Sequence, residues 1–145
     1  MIALLQRVSE AGVTVDGSET GHIGRGLLVF LAVQPGDDDR TVARMAERVL
    51  TYRVFPDEGG RMNRSLVDEG LELLVVPQFT LAADTKKGTR ASFTRAAPPE
   101  TGRRLFERFV LHCGETLPAV ETGVFGAHMQ VALVNDGPVT FWLEA

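Results

Sequence analysis

Cysteine, tryptophan and tyrosine each occur once in these 145 residues, as Cys113, Trp142 and Tyr52. A lone cysteine excludes an internal disulfide, and without C-x-x-C or Cys/His ligand spacing the chain offers no zinc site; a reducing compartment is expected. Long hydrophobic runs are also missing. The longest, Leu27 to Val33, falls far below the roughly 20 residues that span a bilayer, and Met1 to Arg7 is too short for a signal peptide. Neither membrane insertion nor export is expected, and the cytoplasm is. The familiar catalytic signatures are absent too: no G-x-S-x-G, P-loop, G-x-G-x-x-G or H-E-x-x-H occurs. His22, His112 and His128 lack metal-ligand spacing, and Cys113 falls on an apolar helical stripe, where a thiol is buried and inert. No metal and no cofactor are expected.

What is present is ordinary for a folded chain. With 44% hydrophobic and 23% charged residues, 145 residues suit a single domain spanning 1–145. The net charge of −4 argues against broad, non-specific nucleic-acid binding. Its distribution is uneven, however. Between Lys86 and Arg108 stand seven bases (Lys86, Lys87, Arg90, Arg95, Arg103, Arg104, Arg108) and two acids (Glu100, Glu107), so the segment carries +5 and the remainder −9. The segment is either a solvated helix face and loop or a local footprint for an RNA backbone.

Along the chain, Ile2 to Val8, Ala11 to Val15 and Gly26 to Val33 read as strands of an antiparallel meander separated by turns such as Asp16-Gly17-Ser18. Asp37-Asp38-Asp39 offers helix caps. Behind it Val42, Met45, Ala46, Val49 and Leu50 recur at helical spacing, with Arg40, Arg44 and Arg48 opposite and Pro56 setting a limit. Asp57 to Arg64 reads as a polar loop. Leu71 to Val76 is nearly continuous apolar sequence, as in a strand buried on both faces. A turn-rich basic stretch from Ala82 to Pro99 precedes a second helix opened by Pro98-Pro99-Glu100, with Leu105, Phe106, Phe109, Val110 and Cys113 as its stripe. Met129 to Val134 and Val139 to Leu143 close the chain as strands interrupted by Asn135-Asp136-Gly137-Pro138. The fold expected is α/β with α+β character: layered, with mostly antiparallel or mixed sheets and two main helices.

Two segments stand out. Gln78-Phe79-Thr80-Leu81 puts amide, ring and hydroxyl directly after the apolar strand, where they either satisfy a turn or line a site. In Asn135-Asp136-Gly137-Pro138-Val139-Thr140 the proline removes a ladder donor between apolar half-strands, which implies an edge, a bulge or a tight turn.

At these segments the chain resembles the D-aminoacyl-tRNA deacylase family, whose members carry Ser-Gln-Phe-Thr-Leu-like and Asn-x-Gly-Pro-x-Thr motifs. Gln6-Arg7-Val8, Arg53-Val54-Phe55, Met62-Asn63 with Ser65, Ala83 to Gly88 with Ser92-Phe93, and Gly123 to Ala127 with Met129 also look like the family. The resemblance implies a cytoplasmic homodimer of ββα architecture, with active sites near the interface and no metal or organic cofactor. It implies that Gly137-Pro138 is cis and is offered into the partner's site, where its carbonyls crowd the substrate α-carbon. Arg7 would hold that pair, with Asn135 and Thr140 beside it.

An editor that accepts many D-amino acids has to read handedness at the α-carbon. Rigid backbone placed where an L side chain projects rejects the wrong hand, while D residues and glycine escape. The ester is already activated, so Gln78, Phe79 and Thr80 need only position water and stabilise the oxyanion through backbone N–H groups. The resemblance favours help from the terminal adenosine's 2′-hydroxyl over a Thr80 nucleophile. The substrate implied is D-aminoacyl-tRNA, together with glycyl-tRNA mischarged on tRNA-Ala. The partner is then tRNA, not DNA or a membrane, and Lys86, Lys87 and Arg90 are its candidate phosphate contacts. One departure stands out: Pro77 occupies the place of the family's usual serine, leaving neither hydroxyl nor N–H there. The alternatives are an editor of a small L-aminoacyl-tRNA on the same fold and a non-catalytic dimeric tRNA-binding module.

Overall fold

Strand β1 (Ile2–Val15) organises the molecule, whose computed structural model describes residues 1–145. One edge of β1 carries two antiparallel neighbours in succession: β3 (Gly26–Ala32) along its first half and β2 (Ser18–Ile23) along its second. The other edge pairs along nearly its whole length with β8 (Gln130–Glu144). The expected meander is therefore corrected, because β2 and β3 bond to β1 and not to each other. Ile2 to Val8 and Ala11 to Val15 also form one strand. Register shifts in the β1/β8 ladder, between Gln6 and Val8 and again between Val8 and Glu10, absorb the polar Ser9-Glu10 that looked like a turn. The same shifts let β8 run unbroken through Asn135 to Pro138. Proline is tolerated there because β8 is an edge strand and no neighbour needs the missing N–H.

Beyond β3 the sheet turns parallel, through β6 (Glu72–Pro77) to β7 (Val120–Thr122). Mixed pairing follows from the helical crossovers that connect these strands. Alternate residues of β3 and β6 serve opposite cores, which explains their continuous apolar sequence. Leu27, Val29, Leu31, Leu73 and Val75 face the core shared with the helices. Leu28, Leu74 and Val76 face a second core, closed by Val8, Ala11, Val13 and Ile23 from β1 and β2. Two sheet layers and a helical layer result, the expected ββα arrangement.

Helix α1 (Asp39–Thr51) begins at a reciprocal capping box between Asp38 and Thr41 and buries the five apolar residues named above. Arg40 and Arg44 are exposed, as expected, whereas Arg48 is half-buried and donates to the Glu144 carbonyl. Two features were not expected, one across the segment read as a polar loop and one in the unassigned stretch after it. A hairpin joins β4 (Phe55–Pro56) to β5 (Met62–Arg64), and α2 (Leu66–Glu69) is a single turn capped reciprocally by Ser65 and Asp68. Both are too short to show periodicity. Helix α3 (Pro99–Gly114) starts on its proline and buries Leu105, Phe106, Phe109 and Cys113 of the expected stripe, while Val110 at its margin is half-buried. No helix is long and apolar enough to cross a membrane.

Candidate active site

Where β6 ends, the Gln78 N–H donates to the Leu31 carbonyl at 2.8 Å, extending the β3 pairing by one residue. The chain then turns through a 3-10 helix, Phe79–Ala82, whose last residue is buried against Ile2 and Ala32. The first donors of such a turn have no acceptor behind them. The N–H groups of Phe79 and Thr80 accordingly make no hydrogen bond within the chain, while Leu81 and Ala83 bond back to Gln78 and Thr80 at 3.2 and 3.1 Å. Gln78 Nε2 donates to Thr80 Oγ1, so the hydroxyl faces an amide and no base. Phe79 is 57% exposed and packs tilted against Phe93, ring centroids 5.2 Å apart.

Two cavities flank this turn. One, of about 240 Å³, lies between Gln78, Phe79, Phe106, Phe125 and the first turn of α3 at Pro99 and Gly102. The other, of about 270 Å³, shares Gln78, Phe79, Phe125 and Gly126 and adds His128 and Met129. Phe125 arrives on the turn after β7, where a Cβ on Gly123 would stand 2.7 Å from Met129 Sδ. A larger residue there would have to displace the Met129 side chain, whose sulfur also accepts a hydrogen bond from the Val124 N–H at 3.3 Å. His128 is the one titratable side chain in either wall. Cys113 lies elsewhere and burial pushes its thiol up to about 12, so it is no nucleophile at neutral pH. The site has walls without a carboxylate, lysine or arginine, two free backbone donors and no acid–base pair. Such a place can bind an aromatic ring and stabilise an oxyanion.

The second motif is built around Arg7. Its Nε donates to the Asp136 carbonyl at 2.8 Å and its Nη1 to the Val54 carbonyl at 2.6 Å, with Asp136 Oδ2 3.4 Å from Nε. Asn135 Nδ2 donates to the carbonyls of Arg7 and Val139, at 2.9 and 3.2 Å, and Gln6 Nε2 donates to Thr140 Oγ1 at 3.3 Å. The Gly137-Pro138 peptide is cis. A Cβ on Gly137 would stand 2.0 Å from the Val139 nitrogen, so nothing larger fits.

The fold does not bring the two motifs together within one chain. No residue from Asn135 to Thr140 lines either cavity. By the strand registers even Gln78 and Thr140 are roughly 13 Å apart along the strands and roughly 14 Å apart across three inter-strand spacings. Lys86, Lys87 and Arg90 are exposed on the loop closed by the Asp84–Ser92 bridge, and none of them lines either cavity. Phe106 and Phe125 are site residues that the sequence reading left as a buried stripe and a family-like segment. Only the packing of α3 onto the turn after β7 shows their role, their rings standing 6.1 Å apart.

A relative from Thioalkalivibrio sulfidiphilus (strain HL-EbGR7), named D-aminoacyl-tRNA deacylase, is 64% identical over 99% of this chain and 97% of its own. One of the same name from Stenotrophomonas maltophilia (strain K279a) is 61% identical over 99% of both. A solved structure described as c-Myc DNA Unwinding Element Binding Protein is 38% identical and superposes with a TM-score of 0.95 over 100% of this chain and 99% of that one. The family model described as D-Tyr-tRNA(Tyr) deacylase matches residues 4–144, and the chain belongs to that family.

Proposed function

We propose that this protein is a D-aminoacyl-tRNA deacylase: it hydrolyses the ester between a D-amino acid and the 3′ end of tRNA, in the cytoplasm where charged tRNA is used. The observation that carries this is the pair of free N–H groups at Phe79 and Thr80, set between two cavities with no carboxylate, lysine or arginine in their walls. An activated ester needs oxyanion stabilisation and a placed water more than it needs a strong base. The cavity between Phe79, Phe106 and Phe125 suits the terminal adenine, since nucleobases stack on aromatic rings. The ester then lies at Gln78 to Thr80, and the ribose 2′-hydroxyl beside it assists the attacking water.

Handedness is read by the backbone at Gly137-Pro138. Because that segment lies far from Gln78 within one chain, the filter comes from a second copy, and the working enzyme is a homodimer. Strand β8 is an edge with Val134 and Trp142 54% and 49% exposed, the kind of surface a second copy covers. Glycine has no side chain to meet the filter, so glycyl-tRNA is a substrate as well.

The test is deacylation of matched D-tyrosyl-, L-tyrosyl- and glycyl-tRNA. Hydrolysis of the D and glycyl esters with the L ester spared is expected. Equal rates on D and L esters would refute the chirality filter and leave an editor of L-aminoacyl-tRNA, while binding without turnover would leave only a tRNA-binding module.

A further inference from the structure

We propose that Arg103 binds the phosphodiester on the 5′ side of the substrate's terminal nucleotide, an assignment that rests on the adenine slot proposed above. Arg103 lies in the opening turns of α3, directly after Gly102, which lines that slot. Its guanidinium carbon stands 4.9 Å from the centroid of the Phe125 ring, and Phe125 is a wall common to both cavities. A Cβ on Gly126 would be 3.9 Å from Arg103 Nη2, so the cation reaches the rim where the cavities meet. The helix is pressed onto the ring, a Cβ at Gly102 coming 3.3 Å from Phe125 Cζ. The cation is thus positioned by its stacking before any ligand arrives.

Its charge is also uncommitted. Arg104 and Arg108 on the same helix both pair with Asp39, at 3.5 and 3.7 Å, whereas Arg103 pairs with no carboxylate; Glu107, which lines a further groove beside Phe125 together with Arg103 and Phe106, makes no ion pair with it. A guanidinium lying flat on a ring keeps its edge N–H groups for a partner, and two parallel bonds to phosphate oxygens match that edge. Once the base fills the slot and the ester lies at Phe79 and Thr80, the phosphate is the one charged group of the terminal nucleotide. The cation stacked on the wall at that rim is Arg103.

The test is a double-mutant cycle on D-tyrosyl-tRNA, pairing Arg103→Met with a methylphosphonate at the last internucleotide linkage, which removes the charge of that phosphate alone. On natural tRNA, Arg103→Met is expected to lower kcat/KM about tenfold through KM, and the methylphosphonate to cost the native enzyme about the same. Combined, they should cost no more than either one, and Arg103→Lys should recover part of the loss. Penalties that multiply, or a native enzyme indifferent to the methylphosphonate, would overturn the assignment and reduce Arg103 to packing on Phe125. Failure of the native enzyme to deacylate natural D-tyrosyl-tRNA would instead sink the proposed function, and this inference with it.

Discussion

Replacing Arg7 by methionine keeps the aliphatic stem and removes the clamp on the Asn135 to Thr140 segment. Three interactions disappear, and they are unequal. The ion pair to Asp136 has its acidic partner 48% exposed at 3.4 Å, so it contributes at most about 1 kcal/mol. The bond to the Asp136 carbonyl faces solvent, and water can replace the donor. The bond to Val54 differs, because Val54 is 1% exposed and its carbonyl would lose a charged donor in a buried setting, at a cost of about 2 kcal/mol. Arg7→Met should therefore lose about 2–3 kcal/mol in urea denaturation, whereas Asp136→Ala, which leaves every backbone contact intact, should lose less than about 1 kcal/mol. The functional effect should run in parallel. Without the clamp the Asp136 carbonyl that leads into Gly137 is no longer held, and the ratio of D- to L-tyrosyl-tRNA deacylation should fall about tenfold or more, since a misplacement near 1 Å is costly at a reacting centre. Equal stability losses for the two variants, or unchanged discrimination in Arg7→Met, would refute this account of the clamp.

Thr80→Ala should keep rates within about tenfold of native in single-turnover deacylation, because the backbone N–H remains and the hydroxyl meets no base; abolished turnover with intact tRNA binding would make the hydroxyl chemical. Gly26→Ala would set a Cβ 1.9 Å from the Glu72 carbonyl oxygen, backbone against backbone at the first β3/β6 pair, and should cost more than about 4 kcal/mol or prevent soluble expression. An unchanged urea midpoint would contradict that pairing. Asp38, Asp57 and Asp68 are held below the usual carboxylate range, chiefly by hydrogen bonds from the Thr41 N–H, the Asn63 side chain and the Ser65 N–H respectively. Because their folded pKa values are depressed, the stability they contribute is present above the unfolded value near 3.9 and is lost as the pH falls through that value toward the folded ones. Melting temperature should hold from about pH 7 to pH 5 and drop below about pH 4, less steeply in Asp68→Asn; identical acid slopes would exclude that carboxylate as a contributor.

Much of this architecture was legible because it is written locally. The helical stripe at Val42, Met45, Val49 and the apolar run at Leu73 to Val76 repeat within a few residues, and period alone assigns them. The two motifs were legible for the same reason, as contiguous residues of unusual composition. Strand continuity was not. Ser9-Glu10 and Asn135 to Pro138 carry turn chemistry, and only the long ladder between β1 and β8 makes them bulges inside strands. The short hairpin and the single turn of α2 escaped because two to four residues cannot display a period.

From its sequence alone the chain determined which residues turn, which alternate and which segments are chemically odd, since those follow from neighbours in the backbone. Which side chains meet was decided only by tertiary structure. Arg7 grips a carbonyl 129 residues away, Phe106 and Phe125 become two walls of one cavity, and the tight start of the turn at Phe79 leaves two N–H groups without acceptors. Contacts between distant residues depend on sheet order and register, and those are set by the packing of both cores together.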